Sequence, residues 1–409
     1  MKALPLLAAL LSAFAIAACQ DPAGVGLDLI DDEGADPNVR LLLPTSADTV
    51  GTQAVAIGFA TTNPSEPRSQ TRVLVGDVVD PVFGDARAIG YVDATQPSIS
   101  DGLEASDVRA IWIELRRNYA YGDTTTALPL VLRQVQVAGD GTQGTWSVTD
   151  YPADTTFATG PALATATATS AAADTTLRFN LPASWVSANA GTFLSDNFNT
   201  GFEGFEIRVA DGFTPAPGAV YGFSTLTGAG SSIRVAVTDD TLVFPLGEVF
   251  SSISRSDPVA PPALALPARN YSEATAALRF DLGSVGPLPL ARAVLRAPVD
   301  ESLARSGAFV RPVVSRLQIV GTRDDGSAPV FLGELERTAS GTYQTTGPSL
   351  RRFTTVLQGA LTGDESYDRI LLSFPASASL DVFPLYRPDP SLPEPPRLAL
   401  TVIGGSSAP

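Results

Sequence analysis

Cys19 is the only cysteine in the 409-residue chain, and its neighbours give it a definite chemical fate. Lys2 supplies a positive start, Leu4–Ala18 forms an almost unbroken apolar run, and Ile16-Ala17-Ala18 puts small residues directly before the thiol. A basic start, a short apolar stretch and a small-residue cleavage site make a secretory signal. The apolar run of roughly fifteen residues is short for a bilayer span, which takes about twenty. With a cysteine at the cleavage point, the pattern is that of a bacterial lipoprotein signal. Residues 1–18 are expected to be removed, leaving Cys19 as the N-terminus with acyl chains on its sulfur and amino group.

The remaining inventory is sparse. Histidine is absent, and Lys2 and Met1 are the only residues of their types. These gaps exclude histidine-dependent triads, a cysteine nucleophile on the mature chain, Schiff-base lysines, the P-loop lysine and His/Cys zinc sites. What remains is Asp/Glu pairs, hydroxyls, arginine and oxygen-ligated metals. Trp146 with Tyr151, in a glycine-rich loop region, is the candidate platform for stacking on a sugar ring. Trp112 is expected in a core because it stands mid-strand between Ile111 and Ile113, and a core place is the favoured reading of Trp146 over the platform; Trp185 is the third aromatic that could stack. The acidic groups Asp31-Asp32-Glu33, Asp239-Asp240, Asp324-Asp325 and Asp364-Glu365 read as solvated turns, because none has the EF-hand spacing. A two-carboxylate glycosidase needs no histidine, but no pair stands out. No catalytic residue, metal site or cofactor is therefore expected.

With 43 acidic against 27 basic residues the formal charge is −16, and loss of Lys2 with the leader takes it to −17. Nucleic acid is an unsuitable partner for such a surface. Acidic charge also repels anionic lipid, so attachment to a membrane falls to the acyl chains.

Positioning these residues is the work of short strands. Thr52–Ala60, Arg72–Val79, Val108–Leu115, Leu130–Val137, Glu206–Ala210, Val220–Ser224 and Ile233–Val237 alternate apolar with polar or are short apolar runs. Clusters such as Gly139-Asp140-Gly141 and Pro215-Ala216-Pro217-Gly218 separate them, which is the all-β sandwich or barrel pattern. The 35 glycines and 33 prolines suit many turns rather than long helices. Helix is expected only over Ala183–Asn189 and Ser349–Gly359; Ala162–Ala173 reads as strand or exposed loop. Leu177-Arg178-Phe179-Asn180-Leu181 recurs as Leu278-Arg279-Phe280-Asp281-Leu282, suggesting two halves that divide near Thr238-Asp239-Asp240.

Several runs, in order, resemble a family of uncharacterised outer-membrane lipoproteins of diderm bacteria known as domain of unknown function 4270. They are the Cys19 signal with Gly24-Val25-Gly26-Leu27-Asp28-Leu29, then Val75-Gly76-Asp77 leading into Asp80-Pro81-Val82-Phe83-Gly84. Tyr121-Gly122-Asp123-Thr124 and Phe202-Glu203-Gly204-Phe205-Glu206-Ile207 follow. The resemblance covers most of the chain and implies an outer-membrane-anchored β-rich protein, with no established activity to carry over. The chain departs from it in lacking the family's lysines and asparagine-rich composition. A looser similarity to jelly-roll carbohydrate-binding modules rests on Leu278–Leu282 followed by Ala293-Val294-Leu295. Within the Asp80–Gly84 run, a tight turn is expected ahead of a binding loop: Pro81 fixes φ, Phe83 plugs a core and Gly84 turns the chain.

The expected organisation is a lipoprotein signal peptide over 1–18 and an acylated Cys19 with flexible tether over 19–47. Two antiparallel, jelly-roll-like β-sandwiches follow over 48–240 and 241–409. The expected role is a non-enzymatic, lipid-anchored cell-envelope module that binds or scaffolds at the outer membrane, its face undetermined. The expected partners are the membrane and an envelope protein or glycan. The alternatives are a glycan-binding surface lipoprotein, an accessory subunit of an outer-membrane assembly or secretion machine, and, remotely, a carboxylate-dependent glycoside hydrolase.

Overall fold

The computed structural model describes residues 38–51, 72–136, 155–169, 176–214, 217–225, 231–269, 274–325, 327–375, 379–389, 392 and 394–403. The signal, Cys19, the Thr52–Ala60 run, Trp146 and Tyr151 lie outside them. The fold is all-β, in large antiparallel sheets.

Two strands near the start, β1 (Val39–Leu42) and β2 (Ser46–Gly51), are the two edges of a nine-stranded sheet otherwise built from the C-terminal half. The first sheet then takes ten consecutive strands. These are β3 (Arg72–Val78), β4 (Ala86–Ala94), β5 (Ala110–Asp123), β6 (Leu128–Val135), β7 (Thr159–Ala168), β8 (Thr176–Asn180), β9 (Phe205–Val209), β10 (Gly218–Ser224), β11 (Ser232–Ala236) and β12 (Thr241–Arg255). Next, β13 (Ala265–Arg269) opens a separate two-stranded layer, while β14 (Ala274–Arg279) and β15 (Leu290–Ala297) join the nine-stranded sheet. A short hairpin, β16 (Arg305–Ser306) and β17 (Phe309–Val310), reaches back to pair with β5. The nine-stranded sheet is completed by β18 (Arg316–Thr322), β19 (Val330–Arg337), β20 (Tyr343–Thr345), β21 (Arg369–Ser373) and, after β22 (Val382–Tyr386) has paired with β13, β23 (Arg397–Val402).

Alternation builds each core. On β5, Ile111, Ile113 and Leu115 are buried, and they meet Leu177 and Phe179 of β8. The 15-residue β12 serves both layers of the first sheet: its start pairs with β11 and the rest runs along β4. Because β4 also pairs with β3, the strand path β3–β10–β5–β11–β12–β4 returns on itself. This closure hides edges that would otherwise stand open. Phe193, Phe198, Phe202, Phe205 and Phe244 close one end of this core, with ring centroids 5.0–5.4 Å apart.

In the second sheet, β20 is only three residues long, and the Gly347–Thr362 helix packs against β15 and β19 on either side of it. Strand amides there have no strand partner, so helix side chains supply one. Thr354 Oγ1 accepts from Ala293 N at 3.0 Å and Gln358 Oε1 from Leu290 N at 2.5 Å. Phe353 and Leu357 bury the helix's apolar stripe, and Gly363 at φ +84° ends it in the left-handed conformation that glycine favours.

Three expectations on organisation are corrected. Residues 38–47 are not tether: β1 pairs with β23 and β2 with β14, because Leu42 and Ala47 supply apolar faces that the polar run before them lacks. Thr238-Asp239-Asp240 is not a boundary but the hairpin between β11 and β12, with Val237 N donating to Asp240 O at 2.9 Å. Turn residues look alike in hairpins and linkers, and the crossing to the second sheet comes after Arg255. The repeated pentapeptides also occupy unlike places: β8 pairs with β5 alone, whereas β14 lies between β21 and β2. Both expected helices form, lengthened to Ala183–Phe193 and Gly347–Thr362, and Ala162–Ala168 lies in strand β7.

Candidate functional site

The densest set of buried charge lies at the seam between the two sheets, and it is organised by the Asp80–Gly84 run. Asp80 is fully buried (0% exposed). Its Oδ1 accepts from Val82 N at 2.9 Å and Phe83 N at 3.2 Å, closing a tight turn on itself. Tyr121 Oη donates to Oδ2 at 2.5 Å. Arg311 then forks onto the carboxylate, Nε to Oδ2 at 2.7 Å and an NH2 proton to Oδ1 at 2.9 Å. A paired guanidinium and carboxylate in this geometry is among the strongest polar contacts available to a protein.

Each other residue of the run has a physical task. Phe83 is 2% exposed and plugs a cluster joining Leu74, Val78 and Tyr121 of the first sheet to Phe309, Leu380 and Val382. Gly84 sits at φ +84°, and a Cβ there would meet Ser256 O at 2.0 Å. Its carbonyl accepts from Arg269, itself 1% exposed, at 2.6 Å. Pro81 O accepts from Ala260 N at 2.8 Å. Gly76 and Gly122 bring two neighbouring runs close: a Cβ on either would meet the backbone at Ala219 O (2.2 Å) or Gly218 O (2.6 Å). Three of the runs that carry the sequence resemblance therefore meet at one seam, and all three are packing devices.

Burial alone would push the Asp80 carboxyl up; the Arg311 and Tyr121 hydrogen bonds and the Arg311 charge outweigh it and bring it below the ordinary value. Arg311 is correspondingly pushed up. A second buried pair lies alongside. Tyr119 Oη accepts from Leu380 N at 2.9 Å, and Asp381 is pushed up by burial against the pull of Tyr119, Ser379 and Arg72. Asp80, Tyr121 and Arg311 satisfy one another at this seam, whereas Asp381 Oδ1 is buried with no hydrogen-bond partner among the described residues.

Asp93 is a carboxyl pushed well above its ordinary value. Burial, with the charges of Glu248 and Glu203 adding to it and the Ala94 amide opposing, raises it to about 7. A neutral-range carboxyl suits a general acid. A small notch lies elsewhere, between Leu278, Phe280, Leu357, Tyr367 and Arg369. Its interior of about 10 Å³ holds at most one water.

The tryptophans divide. Trp185 is in the core, 5.6 Å from the Phe205 ring, its Nε1 donating to Gln134 Oε1 at 2.9 Å. Trp112 is not in the core. With Ile111 and Ile113 both inward, strand alternation sends Trp112 to the outer face, a consequence of period two that was legible in the sequence. Arg178 covers its ring at 4.2 Å, and Glu114 accepts a hydrogen bond from its Nε1 at 2.8 Å and pairs with Arg234 at 2.7 Å. A ring already covered by a guanidinium is not an open sugar platform. In two of the described acidic turns the carboxylates are engaged: Asp324 pairs with Arg279 at 3.1 Å and Arg369 at 2.8 Å, and Asp364 accepts from Thr362. No group of three metal-ligating side chains forms among the described residues. Sequence reading missed Arg311, Arg269 and Asp93, because their partners lie up to 231 positions away. The chain matches no family model and no curated protein.

Proposed function

We propose that the chain is a non-enzymatic, lipid-anchored module of the bacterial outer membrane, held by acylated Cys19 and binding or scaffolding an envelope partner. The observation that carries this reading is the Leu4–Ala18 apolar run closed by Ile16-Ala17-Ala18 before the only cysteine. The character of the described body supports it. Its strongest buried charges, Asp80, Arg311 and Arg269, are spent on holding two sheets together, as a scaffold requires. The test is crosslinking in intact cells with identification of the captured partners, using Cys19→Ala as the control. An envelope protein captured by the native chain and lost in the control supports the reading. The same partners captured equally by both would overturn the role given to the anchor.

A further inference from the structure

The strand path of the first sheet ends at β7. Among the described residues β6 is the one strand it pairs with; β8 comes near it but pairs with β5. The register shows which backbone groups stand on the open side. Pro129 O accepts from Ala210 N at 2.9 Å, so the backbone of residue 129 is turned to β9, and that of Leu128, Leu130 and Leu132 to β7. Their partners Ala168, Ala166 and Ala164 face β6, which leaves the N–H and C=O groups of Thr165 and Thr167 directed away from the sheet. Ala164, Ala166 and Ala168 pack on the first core, so both threonine side chains stand on the outer face, and both are exposed.

Sheet edges are ordinarily blunted by charge, proline, a bulge or shortness. The edge strand β1 of the nine-stranded sheet is four residues long and carries Arg40. β7 has ten residues and no charged side chain, in a chain of formal charge −16. Pro161 and two register shifts interrupt its first half, while Ala164–Ala168 pairs regularly with Leu128–Leu132. We propose that this open edge takes β7 of a second copy of the chain, antiparallel, so that the two first sheets run on into one another. The segment is its own complement. Turned about a twofold axis at Ala166, Thr165 faces Thr167 of the second copy and Ala164 faces Ala168. The outward backbone groups of the two threonines then form hydrogen-bonded pairs, with threonine beside threonine on the outer face and alanine beside alanine over the cores. An isologous contact sets each residue type against a copy of the same surface, so two strongly acidic chains need a meeting place without like charges. β7 is such a place. The inference stands apart from the lipid-anchor reading and adds a partner that reading does not name.

The test is sedimentation of the full chain, extracted in detergent, over a concentration series, beside Thr165→Pro and the double variant Thr165→Lys with Thr167→Lys. Proline at 165 removes an outward N–H and leaves every bond to β6, a position that edge strands tolerate. The lysines replace exposed side chains and set like charges against each other, so they carry the test if the proline disturbs the fold. A monomer–dimer equilibrium in the native chain, weakened about tenfold or more in both variants with unchanged far-ultraviolet circular dichroism, is expected. Mixing the lysine variant with Thr165→Glu, Thr167→Glu chains should restore the dimer above the level of either alone. Mixed Thr165→Cys and Thr167→Cys chains should be joined by a short bifunctional thiol cross-linker, with the native chain as the blank. A native chain that stays monomeric throughout the series overturns the proposal, as does a dimer that the proline and lysine changes leave equally strong. Cross-linking of Thr165→Cys in intact cells to a different protein, and never to a second copy, would assign the edge to another occupant and also overturn it.

Discussion

Replacing Arg311 with methionine removes both arms of the fork on Asp80 and leaves a carboxylate with no solvent exposure. Breaking a buried ion pair from one side costs about 3–5 kcal/mol, because the remaining charge stays buried. Tyr121, Val82 and Phe83 still donate to Asp80, so the lower end, about 3 kcal/mol at pH 7.5, is expected. The pH dependence then reverses. In the native chain Asp80 is held below its ordinary value, so its contribution is present above about pH 4 and is lost as pH falls through the folded value. Without Arg311 burial dominates and the folded value lies above the unfolded one. The carboxyl's contribution is then full below about pH 4 and is lost as pH rises. The penalty in Arg311→Met should therefore shrink between pH 7.5 and pH 5. Asp80→Asn combined with Arg311→Met should recover part of the loss, because no charge is left unpaired. Urea unfolding followed by tryptophan fluorescence and by far-ultraviolet circular dichroism measures this. Trp112 and Trp185 report the first sheet, and circular dichroism reports both sheets, so the two traces should separate in Arg311→Met. A penalty under about 1 kcal/mol, or one unchanged from pH 7.5 to pH 5, would refute the account of the seam.

Asp93→Asn tests the raised carboxyl. A folded value near 7 means that stability is full below about pH 4 and falls as pH rises through 7, so the variant should gain on the order of 2 kcal/mol at pH 8 and little at pH 4 in urea titrations. Gly84→Ala forces a Cβ against Ser256 O at a positive φ and should cost about 3 kcal/mol or more, read as a lowered thermal midpoint. Thr354→Val keeps the shape of the helix face but removes the acceptor for Ala293 N. It should cost about 1–2 kcal/mol, with faster amide exchange at residue 293.

Much of the fold was legible because strands write their faces at period two. Ile111, Ile113 and Leu115 announced β5, and Ser349–Gly359 announced the helix through its spacing of Leu350, Phe353, Val356 and Leu357. The same rule, followed strictly, puts Trp112 outside; composition favoured the core and misled. What stayed hidden is long-range. Nothing local marks Val39–Leu42 and Ser46–Gly51 as edges of a sheet formed more than 200 residues later, since pairing depends on partners that a single segment does not name. The Asp80–Gly84 run was readable as a turn from Pro81, Phe83 and Gly84, while the reason for its aspartate, a guanidinium at position 311, was not. At the seam the residues are informative about packing, and the proposed address rests on Cys19 and its neighbours in the sequence.

The central claim is that Cys19 is the anchored N-terminus of the mature protein, and mass spectrometry of the N-terminal peptide from detergent-extracted membranes tests it directly. The account predicts that the peptide begins at Cys19, carries acyl chains on sulfur and nitrogen, and is recovered from the membrane fraction. A mature chain beginning elsewhere, or an unmodified Cys19 on protein recovered from the soluble fraction, would contradict it.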